Sequence, residues 1–262
     1  MELTTNEPVA LRPPSRASAT SRNRPADFTL LTLAISATVF TGFWFTYFGP
    51  VFAGQYRKVS PLVHLHGWSF FVWYLLLPVQ AGLIQARRVQ LHRTLGYASL
   101  ALASVMVLTG MTVLGVQMRD ALAAAKPSFW LFAGPAIFST MLLFAVFYTA
   151  AVLMRRKTAW HKRLIVVASS AGMGAATFRV LTVIFGDKEW IAPAGIVATN
   201  LFIVVGIVID VVRERRVHRA WLIGLPICFV VEMGILYATP TAAGRLLSRA
   251  LASLGAALGF LY

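Results

Sequence analysis

The sequence predicts an all-α polytopic membrane protein, a bundle of seven transmembrane helices with its N-terminus inside and its C-terminus outside. Hydrophobic residues make up 58% of the 262 residues and mean hydropathy is +0.72, whereas soluble domains contain about 45–50% apolar residues. Seven apolar runs are long enough to cross a bilayer, which requires about 20 residues. The Lys and Arg residues concentrate in alternate connections between these runs.

The predicted spans are joined by short connections, so the sequence has room for one membrane domain, residues 27–240, and no separate soluble domain. Residues 1–26 are rich in Thr, Ser, Pro and Arg and poor in large apolar side chains, which is typical of a disordered tail. We place the spans at Phe28–Val51, Pro61–Ala86, Leu95–Val116, Phe129–Met154, Leu164–Phe185, Ile191–Val212 and Ala220–Thr239.

Residues 241–262 are predicted to form an amphipathic helix on the outer surface, because the uncharged stretch 250–262 is too short to cross the membrane. On a helix, Arg245, Ser248 and Arg249 share one face and would point to the headgroups. The predicted apolar face consists of Leu246, Leu247, Ala250, Leu251 and Leu254.

The basic residues indicate both the orientation and the partners. With the N-terminus inside, the inner connections hold more than twice as many Lys and Arg residues as the outer ones. The net charge of +15 therefore reflects mainly topology and attraction to the anionic lipids of the bilayer. Nucleic acid is not an expected partner, because no basic stretch is interleaved with aromatic residues.

The fifth predicted span combines small residues with a charge. Ala168, Gly172 and Ala176 recur every four residues, a spacing that lets membrane helices approach closely. Arg179 lies near the outer end of the same span, where a charge is costly and seldom lacks a partner. We therefore expect this span at the centre of the bundle.

Three spans that run outward begin with the same chemistry, and we name these residues the inner histidine ring. Basic residues at a helix N-terminus oppose the macrodipole at about 0.3–1 kcal/mol each, so another factor must favour them. The ring consists of His92 and Arg93 before span three, of His161, Lys162 and Arg163 before span five, and of His218 before span seven.

Three explanations of the inner histidine ring remain open. Positive-inside topology and lipid phosphates alone account for basic residues at this level. Alternatively, the helix N–H groups and the basic side chains converge on a phosphate or a carboxylate. In the third explanation, two of the histidines ligate the iron of a single haem b, whose propionates meet the basic residues. Asp210 is then a candidate to orient a histidine through its ring N–H.

Polar side chains also lie at similar depth near the outer ends of four spans, and we name them the outer polar cluster. Arg179 and Glu232 would each be expensive alone in hydrocarbon, so we predict that they pair. The pair is either structural or, with a histidine as proton exchanger, part of a proton or substrate site. The cluster consists of His64 and His66 in span two, Arg179 in span five, Asn200 in span six and Glu232 in span seven.

The sequence contains no recognisable metal or catalytic motif. Residues i and i+2 diverge by about 200° on a helix, so His64 and His66 cannot both face one ion in a regular helix. The HEXXH zinc spacing is absent, as are a phosphate loop, a CXXC pair and a Ser-His-Asp arrangement.

Several short motifs occur together over residues 60–220. They are HLH at 64–66, LHRTLG at 91–96, HKRL at 161–164 with Arg179 beyond it, and Asp210 with Arg213 and His218. In their spacing and order they resemble a family of bacterial proteins with seven transmembrane helices. The resemblance implies this fold and a multi-pass location in the bacterial inner membrane, and it supplies no reaction.

A looser similarity is to transmembrane cytochromes b, which hold haem between paired histidines on neighbouring helices. Proteins of that kind with two haems need histidine pairs at both sides of the membrane. Here the outer side offers only His64 and His66 on a single helix, so the similarity implies at most one inner haem.

Three classes of function follow from these residues. The first hypothesis is a cofactor-binding or redox membrane protein with His92, His161 and His218 as ligands or anion-site residues. The alternative is a proton-linked carrier that uses the outer polar cluster. A third hypothesis is an accessory subunit that assembles into a larger membrane complex through its apolar faces. Whether the protein is an enzyme is left open.

Overall fold

The computed structural model describes residues 24–56, 58–124 and 128–262, and these residues form an all-helical bundle. Most of the predicted tail, residues 1–23, lies outside the described residues. The helices are α1 (Arg24–Phe43), α2 (Gly49–Phe52), α3 (Pro61–Gln85), α4 (Val89–Ala123), α5 (Phe129–Leu153), α6 (Thr158–Gly172), α7 (Gly174–Phe185), α8 (Ile191–Glu214), α9 (Arg219–Ala238) and α10 (Ala242–Leu258). A π-helical turn, Trp44–Phe48, joins α1 to α2, and a 3-10 turn, Gly259–Leu261, follows α10.

Six helical segments of the described chain are long and apolar enough to cross a membrane, and α6 with α7 makes a seventh if the bent pair counts as one span. The prediction of a multi-pass helical membrane protein is confirmed at this level. α1, the π-helical turn and α2 together form the first span. Ser60 caps α3 through its side chain and Pro61 occupies the first helical position, as proline can where an N–H is not needed.

The fifth predicted span, Leu164–Phe185, is not one straight helix. It breaks at Met173, and α6 and α7 meet at an angle of 48°. Gly172 and Gly174 flank the break, where a Cβ at Gly172 would approach the phenol oxygen of Tyr74 and one at Gly174 would press on Thr140. Small residues are therefore needed here because neighbouring side chains occupy the space beside the backbone.

The predicted central position of this span is supported by burial for α6 and the start of α7, whereas Val183, Ile184 and Phe185 at its outer end are exposed. Nearly every residue from Arg163 to Ala171 is inaccessible to solvent, and Ala168 and Ala176 are fully buried. α6 packs against α5, α8 and α9, whereas α7 packs against α1 and α8. At Gly42 of α1, a Cβ would overlap the backbone of Ala176, so this glycine permits the close approach of α1 and α7.

The C-terminal segment forms α10, but its buried face differs from the predicted apolar face. The buried positions are Gly244, Ser248, Leu251 and Gly255, while Leu246 is 69% exposed. α10 packs mainly against α4, and Gly255 lies directly on the backbone of Gly115. Small residues occupy this face because two helix backbones can come into contact only where no large side chain lies between them.

Candidate functional site

A cavity of about 470 Å³ lies among α1, α3, α4, α5 and the break between α6 and α7, and we name it the large cavity. Its volume is in the range of small-molecule sites, about 300–1,000 Å³. Its wall is mostly aromatic and aliphatic, with a few polar groups. The polar side chains that line it are those of Thr46, Tyr47, Tyr56, His66, Gln117, Thr140, Arg179 and Tyr262.

The two histidines of α3 face different neighbours, as their spacing predicts. His64 Nδ1 lies 3.0 Å from the phenol oxygen of Tyr47, on the π-helical turn. His66 Nδ1 lies 3.0 Å from the backbone oxygen of Met106 on α4, so it is the donor, and His66 lines the large cavity. Of the pair, only His66 therefore belongs to this site.

Arg179 lies on α7 in the wall of the large cavity, and its contacts correct the predicted pairing with Glu232. Its Nε donates to Thr46 Oγ1 at 3.1 Å and its Nη1 donates to the backbone oxygen of Ala175 at 2.9 Å. Its Cζ lies 4.5 Å from the centroid of the Phe43 ring, a cation–π distance. Within the described residues, no carboxylate forms an ion pair with Arg179.

Glu232 on α9 is buried and is bound by Asn200 on α8 instead. Asn200 Nδ2 donates to Glu232 Oε2 at 2.8 Å and to the backbone oxygen of Ile196 at 2.9 Å. The Oδ1 atom of Asn200 is buried and, among the residues that the structure describes, has no hydrogen-bond partner. The predicted cluster is thus split into Arg179 with its neutral partners and the Asn200–Glu232 pair.

A second cavity of about 80 Å³, the small cavity, brings these two parts next to each other. Glu232 and Thr199 line it from α9 and α8, and Arg179 lines it from α7. The two cavities share wall residues on α5 and α7, namely Phe129, Ile137, Thr140, Ala175 and Arg179. Arg179 therefore stands between a ligand-sized space and the small cavity that contains the buried carboxyl group of Glu232.

At the opposite ends of these helices, Arg163 and Asp210 form a buried ion pair with two bonds. Arg163 Nε and Nη2 donate to the two carboxylate oxygens of Asp210 at 2.7 Å each, and both side chains are 1% exposed. Trp221 Nε1 donates to Asp210 Oδ2 at 2.8 Å, and Glu214 accepts from Arg163 Nη2 at 2.8 Å. We name these four residues the Arg163 network. It joins α6, α8 and α9.

The Arg163 network corrects the predicted role of Asp210, which binds an arginine and a tryptophan rather than a histidine ring. Lys162 adds a weaker contact to Glu214 at 3.8 Å and stacks on Phe28, with Nζ 4.3 Å from the ring centroid. Arg93, also predicted for this end, is exposed. Because Arg163 and Asp210 are buried and bound to each other, Arg163 has few N–H donors left for an added anion.

The inner histidine ring comes together only in part. The rings of His92 and His161 are 6.4 Å apart between centroids and nearly perpendicular. His92 Nδ1 lies 3.3 Å from the backbone oxygen of Gln80, and His161 Nδ1 lies 2.8 Å from that of Ala151. The Nδ1–H of His161 is therefore directed to a carbonyl, which leaves its Nε2 as a ligand atom. At His92 the side-chain amide of Gln80 competes as a donor to Nδ1, at 2.7 Å.

His218 has a different partner and a structural role. Its ring packs on Trp160, with centroids 5.1 Å apart, and its Nδ1 accepts from the backbone N–H of Ala220 at the start of α9. Burial lowers the pKa of His218 below its usual 6.5, and the nearby Arg163 cation lowers this pKa further. Both effects favour the neutral ring that can cap the helix.

Several residues that build these sites have no recognisable signal in the sequence. Glu214 and Trp221 complete the Arg163 network, and Thr46 and Tyr47 come from a π-helical turn that local patterns do not predict. The glycines at 172 and 174, on either side of one residue, are the signal that identifies the helix break.

Comparison with protein-family models, with curated proteins and with solved structures finds no match for this chain. The two cavities and the residues in their walls are therefore the features that bear on function.

Proposed function

We propose that this protein is a proton-linked carrier of the bacterial inner membrane and that the large cavity is its substrate site. One observation carries the proposal: Arg179 lies in the wall of both cavities, with the buried carboxyl group of Glu232 on its other side. A proton-linked carrier needs a substrate site beside a group that gains and loses a proton in step with it. These two cavities have that arrangement.

The distribution of basic residues supports an orientation with the N-terminus inside, which places the large cavity in the outer half of the membrane. The helix break at Met173 adds to the proposal, because interrupted helices at a central position are common in carriers. The break divides the span into two helical halves, α6 and α7. Arg179 lies on α7 and Arg163 lies on α6.

Glu232 and Asn200 are the proposed proton site. A buried carboxyl group without a cation partner is tolerated most readily as the neutral acid. The protonated acid would supply the donor that the buried Oδ1 of Asn200 lacks, while Asn200 Nδ2 continues to donate to Glu232. The other groups near this acid are Thr199, Arg179 and Cys228, and none of them is a second carboxyl group. The amide therefore donates to the carboxyl group in both protonation states and gains a donor of its own in the protonated one.

We expect Glu232→Gln to abolish proton movement while the protein remains folded, because glutamine keeps the shape and an acceptor oxygen but cannot exchange a proton. The measurement uses proteoliposomes that contain a pH-sensitive dye and receive an inward gradient of one compound at a time. The compounds are alkyl and aryl carboxylates, sulfonates, amino acids and sugars. The sulfonates are essential, because they do not cross the lipid as neutral acids.

The matched control is Asp120→Asn, which removes an exposed carboxylate paired with Arg119. The wild type and this control should acidify the liposomes with at least one compound, and Glu232→Gln should match liposomes without protein. The proposal fails if no compound drives proton entry in the wild type, or if the Gln variant retains the wild-type rate.

A second candidate, a protein that binds a single haem b, is favoured by the contact between His92 and His161. These histidines would be the axial ligands, and the haem would supply electron transfer. Neither His92 nor His161 lines the large or the small cavity, so this candidate has less support. Purified protein should then have a Soret band that His161→Ala removes, and an intact wild type without that band would end this candidate.

A further inference from the structure

We propose that the large cavity takes an organic monoanion, a carboxylate on an apolar body, and that Arg179 holds the carboxylate. This inference rests on the proposed function, since it names the substrate class of the same site. It is also tested by binding alone, so it can fail or succeed without any transport.

The charged side chain in the wall of the large cavity favours an anion as the ligand. Of the described side chains that line the large cavity, that of Arg179 is the only one with a permanent charge, and none belongs to an Asp or a Glu. A cation would therefore meet repulsion without a counter-ion, whereas a carboxylate would neutralise Arg179 in a place of low dielectric. A single arginine suits one negative charge better than two.

The guanidinium group of Arg179 has more N–H donors than its described contacts use. It carries five N–H donors, and its contacts use Nε for Thr46 and one hydrogen of Nη1 for Ala175. The Phe43 ring stacks on the group and helps to hold its plane. Within the described residues no acceptor is assigned to Nη2. Thr46 and Phe43 thus position the group, and its remaining donors are available to a carboxylate.

The start of α7 adds to the same potential. Ala175 lines both cavities, and Gly174 lines the small cavity. The first N–H groups of a helix carry partial positive charge, and in α7 these are the N–H groups of Gly174 and Ala175, since that of Ala176 donates to the backbone oxygen of Met173. This feature alone would not make a site, but here it lies on the same helix as Arg179 and beside a space of ligand size.

The rest of the wall suits an apolar body. Phe70, Phe129, Trp130 and Phe144 line the large cavity together with aliphatic side chains. At about 30 Å³ for each water molecule in liquid water, a volume of 470 Å³ corresponds to roughly 15 water-sized groups. An aryl or medium-chain alkyl carboxylate has about this size, and its apolar body would gain from leaving water.

The test is calorimetric binding of 2-naphthoate and of its neutral analogue 2-naphthamide to the full chain in lipid nanodiscs. We expect the wild type to bind the carboxylate at least tenfold more tightly than the amide. Arg179→Gln should reduce that preference to about one by weakening carboxylate binding, and Arg179→Lys should retain part of it. Arg213→Gln, which removes an exposed arginine paired with Asp27, is the matched control and should behave as wild type.

The wild-type comparison needs no variant, so it stands even if Arg179→Gln fails to fold. Equal binding of acid and amide, binding of neither, or an unchanged preference in a folded Arg179→Gln protein would each overturn the inference. Anion-selective binding in a protein that moves no protons would instead retain the substrate class and remove the carrier.

Discussion

The Asp210→Asn variant is expected to lose about 3–5 kcal/mol of unfolding free energy, the usual cost of removing one partner of a buried ion pair. Asparagine would place N–H donors where Arg163 and Trp221 now donate to a carboxylate. Arg163 would remain buried, with only Glu214 to balance its charge. The measurement is a titration with SDS in mixed micelles, followed by circular dichroism.

Two controls distinguish this effect from a general loss of charge. Asp27→Asn removes an acid that pairs with Arg213 closer to solvent, and it should cost about 1 kcal/mol or less. The double variant Arg163→Met with Asp210→Leu should recover much of the loss, because apolar side chains can replace a buried pair. If Asp210→Asn were no less stable than Asp27→Asn, the Arg163 network would not be what joins α6, α8 and α9.

The second large effect is expected at Gly255, where even a methyl group has no room. A Cβ at Gly255 would overlap the backbone of Gly115 and Val116, and neither backbone can rotate away as a side chain can. Gly255→Ala should therefore move α10 away from α4, at a cost of about 1–3 kcal/mol or more. Tyr262 forms part of the wall of the large cavity, and its hydroxyl accepts a hydrogen bond from Gln117. The shift of α10 should therefore also displace this part of the wall.

Gly234→Ala is the matched control, since a Cβ there meets nothing within 4 Å. Alanine is the better helix former by about 1 kcal/mol, so this variant should be as stable as the wild type or more stable. Hydrogen exchange of the α10 amides should become faster in Gly255→Ala and remain unchanged in Gly234→Ala. Equal exchange in both variants would show that the contact between α10 and α4 does not depend on a glycine.

The sequence was sufficient for the helical membrane bundle, because the length and polarity of each apolar run are local properties. It also placed the small residues Ala168 and Ala176 correctly at the centre, since close packing in lipid selects them. The sequence did not predict the break at Met173 or the small-residue face of α10. Both depend on which backbone or side chain lies opposite, and this is a property of the tertiary structure.

The candidate site was predictable only in outline. The cost of burying charge implied that Arg179 and Glu232 need partners, but it does not say which ones. Arg179 is balanced by a hydroxyl, a carbonyl and an aromatic ring, and Glu232 by the amide of Asn200. Because neutral partners serve as well as charged ones, pairing opposite charges by depth was wrong for Arg179 and Glu232.

The most direct test of the account is the number of protons exchanged when 2-naphthoate binds. Calorimetry at one mildly alkaline pH, in buffers of different ionisation enthalpy, measures that number. A carboxylate held at Arg179 would disfavour a second negative charge at Glu232, so a proton from water should bind the Glu232 carboxylate. The account predicts that the wild type takes up protons when 2-naphthoate binds and that Glu232→Gln takes up none. Binding to the wild type without proton uptake would contradict it.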